Sequence, residues 1–308
     1  MTAMLVALLL DLAVGWPDRL YRRVGHPVTW IGAQIARLDR DWNHGRPEAR
    51  RRAGARVAAV VVGAAAGVAL LATWLLPGGL PGEILAGVLA WPLVAARSLH
   101  WHVDAVRAPL ARGDVRRARA AVSHVVGRDP DALDEAGIAR AATESLAENA
   151  SDGVVAPIVW GVLLGLPGIA AYKALNTLDS MIGHRTDAHE EFGRVSAIAD
   201  DLANWLPARL TGAALALVSE NRRAAFAVMR RDAHHHRSPN AGWPEAAMAG
   251  ALDVRLSGPR RYGARLEAEP WLNEGAPDPD ARDLGRALGL YERLLWALGA
   301  VLAAGALL

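Results

Sequence analysis

Three acidic residues recur at intervals of one helical turn in the middle of the chain. Glu144, Glu148 and Asp152 are spaced i, i+4 and i+8, which predicts that they lie near one face of a helix, with Asn149 beside them. Like charges at this spacing destabilise a helix by about 0.2–0.5 kcal/mol per pair, so a partner should offset the repulsion. Mg²⁺ bound through carboxylates is one such partner. A solvated face on which Arg140 pairs with Glu144 is an equally good interpretation.

Two further polar clusters combine carboxylates with side-chain amides. Asn176 and Asp179 are three residues apart, so they share one helical face. Asp200 or Asp201 likewise shares a face with Asn204. Taken singly, each cluster is more typical of an exposed helix surface or a capping arrangement than of a site. Together they place ionisable groups beside apolar segments, where such groups are by default candidates for function.

Isolated polar and aromatic residues complete the set of candidates. Asn240 and Trp243 lie in a loop with two prolines, where the indole offers a flat apolar platform or belongs to a rigid turn. Asp11 interrupts the first apolar segment and His26 follows it. A buried aspartate there pairs with an arginine or binds a substrate or ion. The consecutive histidines His234–His236 point in different directions, which is more typical of a basic surface than of a metal site.

The apolar segments that hold these clusters are typical of an integral membrane protein. Residues 53–76 contain one charged residue, Arg56, and are long enough to cross a hydrocarbon core of about 30 Å as a helix. Hydrophobic residues make up 52% of the chain, which argues against a simple soluble protein. We therefore predict an all-α, polytopic membrane helical bundle with sizeable cytoplasmic helical loops, in one membrane-embedded domain over residues 1–308. The predicted spans are residues 3–15, 53–76, 83–99 and 287–308.

Two more apolar segments, residues 153–172 and 202–218, are equivocal. The first contains two prolines and four glycines. It predicts a broken or re-entrant helix, because irregular backbone at membrane depth needs surrounding protein or water. The second is short for a span and contains Arg209. Nine arginines in residues 16–52 place that loop on the cytoplasmic side of the inner membrane, and we expect the active site on the same side.

Composition and missing motifs exclude several functional classes. The chain has no cysteine, which excludes disulfides, a thiolate nucleophile and Cys-ligated metal centres. Its net charge of +2 provides no bulk field for nucleic acid, so we expect no nucleic-acid partner. The phosphate-binding patterns G-x-x-x-x-G-K-[ST] and G-x-G-x-x-G are absent. An ATP site would therefore be of neither the P-loop nor the Rossmann type.

Six sequence blocks occur in a fixed order across nearly the whole chain. They are LLLDLAVGWPDRL (8–20), GHPVTWIG (25–32), ESLAENASDGVVAP (144–157), YKALNTLDSMIGHR (172–185), DDLANWLPARLT (200–211) and SPNAGWPEAAMAGALDVRLSGPRRYG (238–263). In these blocks the chain resembles the adenosylcobinamide-phosphate synthase family of cobalamin biosynthesis. So many colinear blocks are far more specific than any single motif. Ala150 departs from the expected Thr, and residues 186–193 match the family pattern only loosely.

The resemblance implies a multi-pass membrane enzyme that joins (R)-1-amino-2-propanol, or its O-phosphate, to the propionate carboxylate of adenosylcobyric acid. An amide forms, ATP is consumed, and the corrinoid is a substrate. Activating a carboxylate, most simply as an acyl phosphate, requires Mg²⁺ and cationic groups to neutralise phosphoryl charge. The resemblance and the clusters together predict the catalytic residues Glu144, Glu148, Asn149, Asp152, Asn176, Asp179, Asp200, Asp201 and Asn204. The predicted Mg²⁺ ligands are Glu148, Asp152 and Asp179. The predicted phosphate- and substrate-binding residues are Asp11, His26, Lys173, Arg185, Arg209, Asn240 and Trp243.

Two interpretations without bond-making chemistry remain open. A corrinoid or cation carrier would suit the interrupted segment 153–172 and an acid within the membrane. A scaffold would instead organise soluble corrinoid-pathway enzymes at the membrane. The small number of plausible spans and the lack of a detectable inverted repeat argue against a carrier. A symmetric homodimer is the default expectation for the oligomeric state.

Overall fold

Helices dominate the described residues, which confirms the prediction of an all-α, polytopic helical protein. The computed structural model describes residues 1–124, 133–184, 186–262 and 265–308, and the side chains of all of these except 260–267. The helices of the first half are α1 (Thr2–Val14), α2 (Asp18–Val24), α3 (Pro27–Trp42), α4 (Pro47–Leu75), α5 (Leu80–Ala90), α6 (Ala96–Leu110), α7 (Val115–Val122) and α8 (Glu135–Ala150). Those of the second half are α9 (Ala156–Ile182), α10 (Arg194–Val218), α11 (Arg222–Asp232), α12 (Gly242–Leu252) and α13 (Ala281–Ala306).

Four short strands lie between α12 and α13. They are β1 (Leu256–Ser257), β2 (Arg260–Tyr262), β3 (Arg265–Glu267) and β4 (Trp271–Leu272). They form two antiparallel pairs, β1 with β4 and β2 with β3. Strands this short form only a local structure between two helices and leave the fold class unchanged.

Among the described residues, four helical stretches are long and apolar enough to cross a membrane. They are Pro47–Leu75, Leu80–Leu110, Glu135–Ile182 and Ala281–Ala306. Three of them overlap the predicted spans 53–76, 83–99 and 287–308, while residues 3–15 correspond to the shorter apolar helix α1. Their number identifies a membrane protein; which of them cross, and in which direction, stays a prediction.

The predicted span 83–99 is interrupted. Helix α5 ends at Ala90, a 3₁₀ turn covers Trp91–Leu93, and α6 begins at Ala96. Pro92 lacks a backbone N–H and its ring clashes with the preceding turn, so it disfavours a continuous helix at this point. The stretch that the sequence predicts as one span therefore consists of two helices.

The predicted break in residues 153–172 is confirmed in the backbone. Residues Ser151–Val155 form a π-helical turn after α8. Within α9, Gly165 adopts φ 66° and ψ −154°, a conformation that favours glycine because a Cβ would be strained there. Pro167 follows two residues later and cannot donate a helical hydrogen bond. Helix α9 therefore consists of two pieces.

Packing divides the chain into two compact units. Unit 1 comprises Met1–Ala95, Ala156–Asn204 and Val301–Leu308, and unit 2 comprises Ala96–Val155 and Trp205–Ala300. In unit 1, α9 packs along α4 and α3. The core between them is fully or almost fully buried and consists of Ile35, Val57, Ala58, Val61, Ala174, Leu178, Ile182 and Phe192. This core fixes the second piece of α9, which carries three of the predicted site residues, Lys173, Asn176 and Asp179.

The loop from α9 to α10 is held against α4 by backbone contact. A Cβ added at Gly54 would lie 1.7 Å from the carbonyl oxygen of Phe192, so only glycine permits this approach. Arg50 donates from Nη2 to the carbonyl oxygen of Asp187 over 3.0 Å. Arg51 forms an ion pair with Glu191 at 2.7 Å. These contacts anchor the loop and thereby the start of α10.

Unit 2 is built around α8, which packs against α6, α7 and α12, while α11 packs against α12. A charged cluster ties α8 to the segment after β4. Arg255 donates two hydrogen bonds to Asp278, at 2.9 and 2.6 Å, and Arg140 pairs with the same carboxylate. Both guanidinium groups lie over the ring of Trp271, at 4.3 and 4.7 Å from its centroid. Arg140 is thus bound to Asp278, and not to Glu144 as one sequence interpretation expected.

Candidate active site

Five of the predicted residues of unit 1, Asn176, Asp179, Asp200, Asp201 and Asn204, lie where α9 meets the first part of α10. Tyr172, Asn176 and Asp179 are spaced i, i+4 and i+7 on α9, so they lie on one face of that helix. Asp200 and Asn204 are spaced i and i+4 on α10. We call this group, together with Asp201, the α9–α10 seam. The residues belong to separate sequence clusters, and the fold brings them together.

A chain of hydrogen bonds crosses the seam. The hydroxyl of Tyr172 donates to Oδ1 of Asn204 over 2.8 Å. The amide of Asn204 donates from Nδ2 to Oδ2 of Asp200 over 2.9 Å. The three residues are almost completely buried: the exposed fraction is 3% for Tyr172, 1% for Asn204 and 7% for Asp200. Such a network, shielded from water, holds a carboxylate in one orientation.

Two buried polar atoms on α10 have no hydrogen-bond partner among the described residues. They are Oδ1 of Asp200 and Oγ of Ser196, one helical turn apart. Ser196 is fully buried. Leaving such groups unsatisfied costs about 1–3 kcal/mol each, and native proteins do so where a ligand, ion or water completes the set. The seam therefore has unused capacity to bind.

The electrostatics of the seam disfavour charge on Asp200. Burial, and after it the neighbouring carboxylates of Asp179 and Asp201, raise the pKa of Asp200 to about 7. The amides of Asn204 and Asn176 partly offset the shift. A bound cation would stabilise the charged form, because an opposite charge nearby lowers the pKa of a carboxyl group.

A basic group lies close to His26 in the same unit. Burial and the positive charge of Lys173 lower the pKa of His26. Lys173 is the only lysine of the chain and precedes the seam residue Asn176 by three positions on α9. His26 caps α3, accepting a hydrogen bond at Nδ1 from the backbone of Val28 over 3.2 Å. The side chain of His26 therefore has a structural role whether or not it touches substrate.

The donor set of the seam fits Mg²⁺. Carboxylate and amide oxygens are the hard ligands that this ion prefers, and Mg²⁺ is usually held by one or two carboxylates together with substrate phosphates. Asp179 and Asp200 supply such carboxylates, and Oδ1 of Asp200 has no other partner among the described residues. Within residues 1–124, 133–184, 186–262 and 265–308, no group of three or more His, Cys, Asp or Glu forms a ready-made metal cage.

The predicted residues of α8 and its π-helical turn lie in unit 2, in contrasting environments. Glu144 is buried and accepts a hydrogen bond from the backbone N–H of Ser257 over 2.8 Å. Glu148 is exposed, although it follows by one turn, and Asp152 is partly buried. Asn149 donates to the carbonyl oxygen of Ser145 over 3.0 Å. The contact of Glu144 is that of a structural carboxylate, which fixes β1 beside α8.

Arg209, Asn240 and Trp243 also meet in unit 2. The guanidinium of Arg209 lies between two indoles, 4.2 Å from the ring centroid of Trp205 and 4.5 Å from that of Trp243. Arg209 also donates to Oδ1 of Asn240 over 3.4 Å. One face of Trp243 is thus covered by the cation and is not available to a flat ligand.

Two predicted residues remain to be located. Asp11 is buried in α1, with 4% of its surface exposed. Arg185 lies outside the described residues. Glu148 and Asp152 belong to unit 2 and Asp179 to unit 1, so the three predicted Mg²⁺ ligands do not form a set within either unit.

Comparison with known proteins gives one consistent result. The family model described as CobD/Cbib protein matches residues 4–291. A cobalamin biosynthesis protein CobD from Rhodobacter capsulatus is 62% identical over 292 residues, which cover 95% of this chain and 93% of the relative. Proteins of the same name from Brucella suis and Rhizobium meliloti are 47% and 45% identical, covering 93% and 94% of this chain and 90% and 88% of the relatives. No solved structure matches the chain significantly.

The chain belongs to the CobD/Cbib family. The family resemblance seen in the six sequence blocks is thereby confirmed, and the chain is an enzyme of cobalamin biosynthesis that acts at the cobinamide-phosphate step. The seam draws on two of those blocks, residues 172–185 and 200–211.

Sequence reasoning missed two residues in this CobD/Cbib chain: Tyr172 of the seam, and Ser196, which lies next to the seam on α10. Tyr172 has the helical spacing of Asn176 and Asp179, and this spacing was the available signal. Ser196 precedes Asp200 by one turn and carries no distinctive signal of its own. An aromatic residue or a serine on an apolar helix is common, and only its neighbours in the tertiary structure identify it as a candidate site residue.

Proposed function

We propose that the chain is an ATP-dependent amide-forming ligase that joins (R)-1-amino-2-propanol, or its O-phosphate, to the propionate carboxylate of adenosylcobyric acid. The observation that carries the proposal is the α9–α10 seam. It gathers Asp179, Asp200 and Asp201 with two amides in a partly buried setting and leaves Oδ1 of Asp200 without a partner among the described residues. A purely structural interface has no need of such a group.

The proposed reaction has two bond-making stages. An oxygen of the propionate attacks the γ-phosphorus of ATP, and ADP leaves. The nitrogen of the amine then attacks the acyl carbon, phosphate leaves, and the proton released by the amine passes to a carboxylate of the seam. Mg²⁺, held by Asp179 and Asp200, would neutralise charge on the transferred phosphoryl group.

The residues of the seam divide the remaining tasks by their chemistry. Asn176 and Asn204 offer amide groups that orient a carboxylate or an amine. Lys173 supplies positive charge for phosphate oxygens, as does Arg185 in the sequence prediction. Glu148, Asp152, Arg209, Asn240 and Trp243 remain proposed contacts for nucleotide or corrin, with Glu144 supporting the fold.

We further propose that the enzyme is a multi-pass protein of the inner membrane with its site open to the cytoplasm. ATP and corrinoid intermediates are cytoplasmic, and the nine arginines of residues 16–52 indicate the cytoplasmic side. A homodimer, membrane lipid and soluble enzymes of the corrinoid pathway are the proposed partners.

One observation favours a second candidate, a corrinoid or cation carrier. Gly165 breaks α9 within an apolar segment, and broken helices form binding sites in many transporters. A carrier would bind corrinoid or cation without consuming ATP or forming an amide.

The deciding experiment uses the full chain in detergent with adenosylcobyric acid, ATP and Mg²⁺. Each candidate amine is added in turn, and mass spectrometry detects the amide product. We expect a product that requires both ATP and the amine. If cobyric acid binds but no amine gives a product, the ligase proposal is wrong and the carrier becomes the better interpretation.

A further inference from the structure

The hydroxyl of Tyr172 is linked to Asp200 through Asn204. It donates to Asn204, and Asn204 in turn donates to Asp200. We propose that Tyr172 is a positioning residue that sets the orientation of the Asp200 carboxylate by fixing the amide of Asn204. This inference rests on the proposed function, because it treats Asp200 as a group that binds the reacting species.

The direction of the hydrogen bonds follows from the donor and acceptor capacity of each group. With a cation bound, the carboxylate of Asp200 is ionised and only accepts, so Asn204 turns Nδ2 towards it. That leaves Oδ1 of Asn204 towards Tyr172, whose hydroxyl has a proton to donate. The hydroxyl of Tyr172 therefore holds the amide of Asn204 in the orientation that the carboxylate of Asp200 requires.

The orientation of the Asn204 amide also affects the other oxygen of Asp200. With Oδ2 committed to Asn204, Oδ1 keeps a fixed direction, and it has no partner in the described part of the chain. Without the hydroxyl, the amide of Asn204 can rotate and present its oxygen to the carboxylate. Water cannot readily take the place of the hydroxyl, because Asn204 has only 1% of its surface exposed.

The decisive comparison is between Tyr172→Phe and the matched control Tyr291→Phe. Both variants remove one hydroxyl from a buried tyrosine that makes a hydrogen bond. The hydroxyl of Tyr291 donates instead to the carbonyl oxygen of Ala96 over 3.0 Å, within unit 2. Thermal unfolding of both variants in detergent shows whether their stability losses are similar.

Two readouts are taken on each variant. The first is the binding of Mn²⁺, a probe for Mg²⁺, by electron paramagnetic resonance in the absence of substrates. The second is kcat and KM for amide formation. Outer-shell residues typically contribute 10–100-fold to metal affinity or activity. We expect Tyr172→Phe to weaken Mn²⁺ binding and to lower kcat about tenfold or more, with KM for the amine unchanged and Tyr291→Phe close to wild type.

A double-mutant cycle tests whether the effect passes through Asn204. Adding Tyr172→Phe to Asn204→Ala should change kcat and Mn²⁺ affinity little further, because Asn204→Ala has already removed the hydrogen bonds that link Tyr172 to Asp200. Additive effects would show that Tyr172 acts by another route and would overturn the proposal.

The outcomes separate this inference from the proposed function. If wild type forms the amide and Tyr172→Phe matches Tyr291→Phe in both readouts, the positioning role is wrong and the ligase stands. If wild type binds Mn²⁺ but forms no amide, the ligase proposal fails. The comparison of Mn²⁺ binding between Tyr172→Phe and Tyr291→Phe then decides alone whether Tyr172 positions Asp200. A wild-type chain that neither binds Mn²⁺ nor forms product overturns both.

Discussion

Asn204 lies one helical turn after Asp200 on α10 and donates from Nδ2 to Oδ2 of that carboxylate over 2.9 Å. The other oxygen of Asp200 has no partner among the described residues, and the nearby carboxylates of Asp179 and Asp201 repel charge on it. The pair thus combines a fixed orientation with an unfilled binding capacity. This combination is expected of a carboxyl group that binds a cationic ligand. It leads to predictions on stability and activity.

Asp200 should make the stability of the protein depend on pH. Its pKa is about 7 in the folded chain, against an ordinary value of 3.8 for an aspartate in water, so the folded state retains a proton that the unfolded state has lost. The stabilising contribution is fully present below about pH 4 and is lost as the pH rises through about 7, at up to about 1.4 kcal/mol per pH unit. Thermal unfolding in detergent with EDTA, from pH 4 to 8, measures the effect.

The matched variants are Asp200→Asn and Asp41→Asn. Asp41 is an exposed acid of the same unit, with 55% of its side chain accessible. Asp200→Asn should flatten the pH dependence, whereas Asp41→Asn should preserve it. Equal profiles for wild type and Asp200→Asn would contradict the assigned pKa.

Asp179 should be required for turnover. Asp179→Asn keeps the size of the side chain but removes a charge that the proposed Mg²⁺ site needs, and we expect kcat to fall at least 100-fold, a loss of about 2.7 kcal/mol of transition-state stabilisation. Asp41→Asn again serves as the control, with activity near wild type. Product formation followed by mass spectrometry is the assay, and unchanged turnover of Asp179→Asn would remove this residue from the site.

Substitution of Glu144 should affect stability, whereas substitution of Glu148 should affect turnover, although the two residues are one turn apart. Glu144→Ala leaves the backbone N–H of Ser257 without its acceptor in a buried setting, so we expect a stability loss of about 1–3 kcal/mol. Glu148 is exposed, so Glu148→Ala should leave thermal stability unchanged and lower turnover if this carboxylate takes part in the chemistry. Normal turnover of Glu148→Ala would assign it to the surface.

Gly54 should be irreplaceable, in contrast to Gly63 on the same helix. In Gly54→Ala the new Cβ would meet the carbonyl oxygen of Phe192 at 1.7 Å, which forces α4 and the loop between α9 and α10 apart. We expect the apparent melting temperature to fall and the seam to lose activity with it. At Gly63 nothing lies within 4 Å of a Cβ, so Gly63→Ala should be neutral or stabilise by up to about 1 kcal/mol.

The loop between α9 and α10 should face the cytoplasm. The chain contains no cysteine, so Asp187→Cys introduces a unique thiol at an exposed position whose backbone, and not its side chain, is bound by Arg50. A membrane-impermeant maleimide should fail to label it in intact cells and succeed after permeabilisation. Labelling in intact cells would place the loop outside and exclude a re-entrant path for residues 153–172.

Much of the fold was predictable because it follows from local physics. Long runs of apolar residues such as 53–76 specify a helix without reference to the rest of the chain. The break in α9 was predictable for the same reason, since Gly165 and Pro167 act within one turn. The interruption of 83–99 was missed, although Pro92 lies at the interruption, because apolarity alone was taken to specify continuity.

By itself, the sequence determined the helical class, the family and the types of residue available for chemistry. Helical periodicity fixes which side chains share a face, so Asn176 with Asp179 and Asp200 with Asn204 could be grouped in advance. The tertiary structure decided which faces meet and which polar atoms are left unsatisfied. That Tyr172 donates to Asn204, and that Glu144 is tied to Ser257, depend on packing between segments 32 and 113 residues apart. Burial and hydrogen bonding over such separations depend on the whole fold, and no local pattern records them.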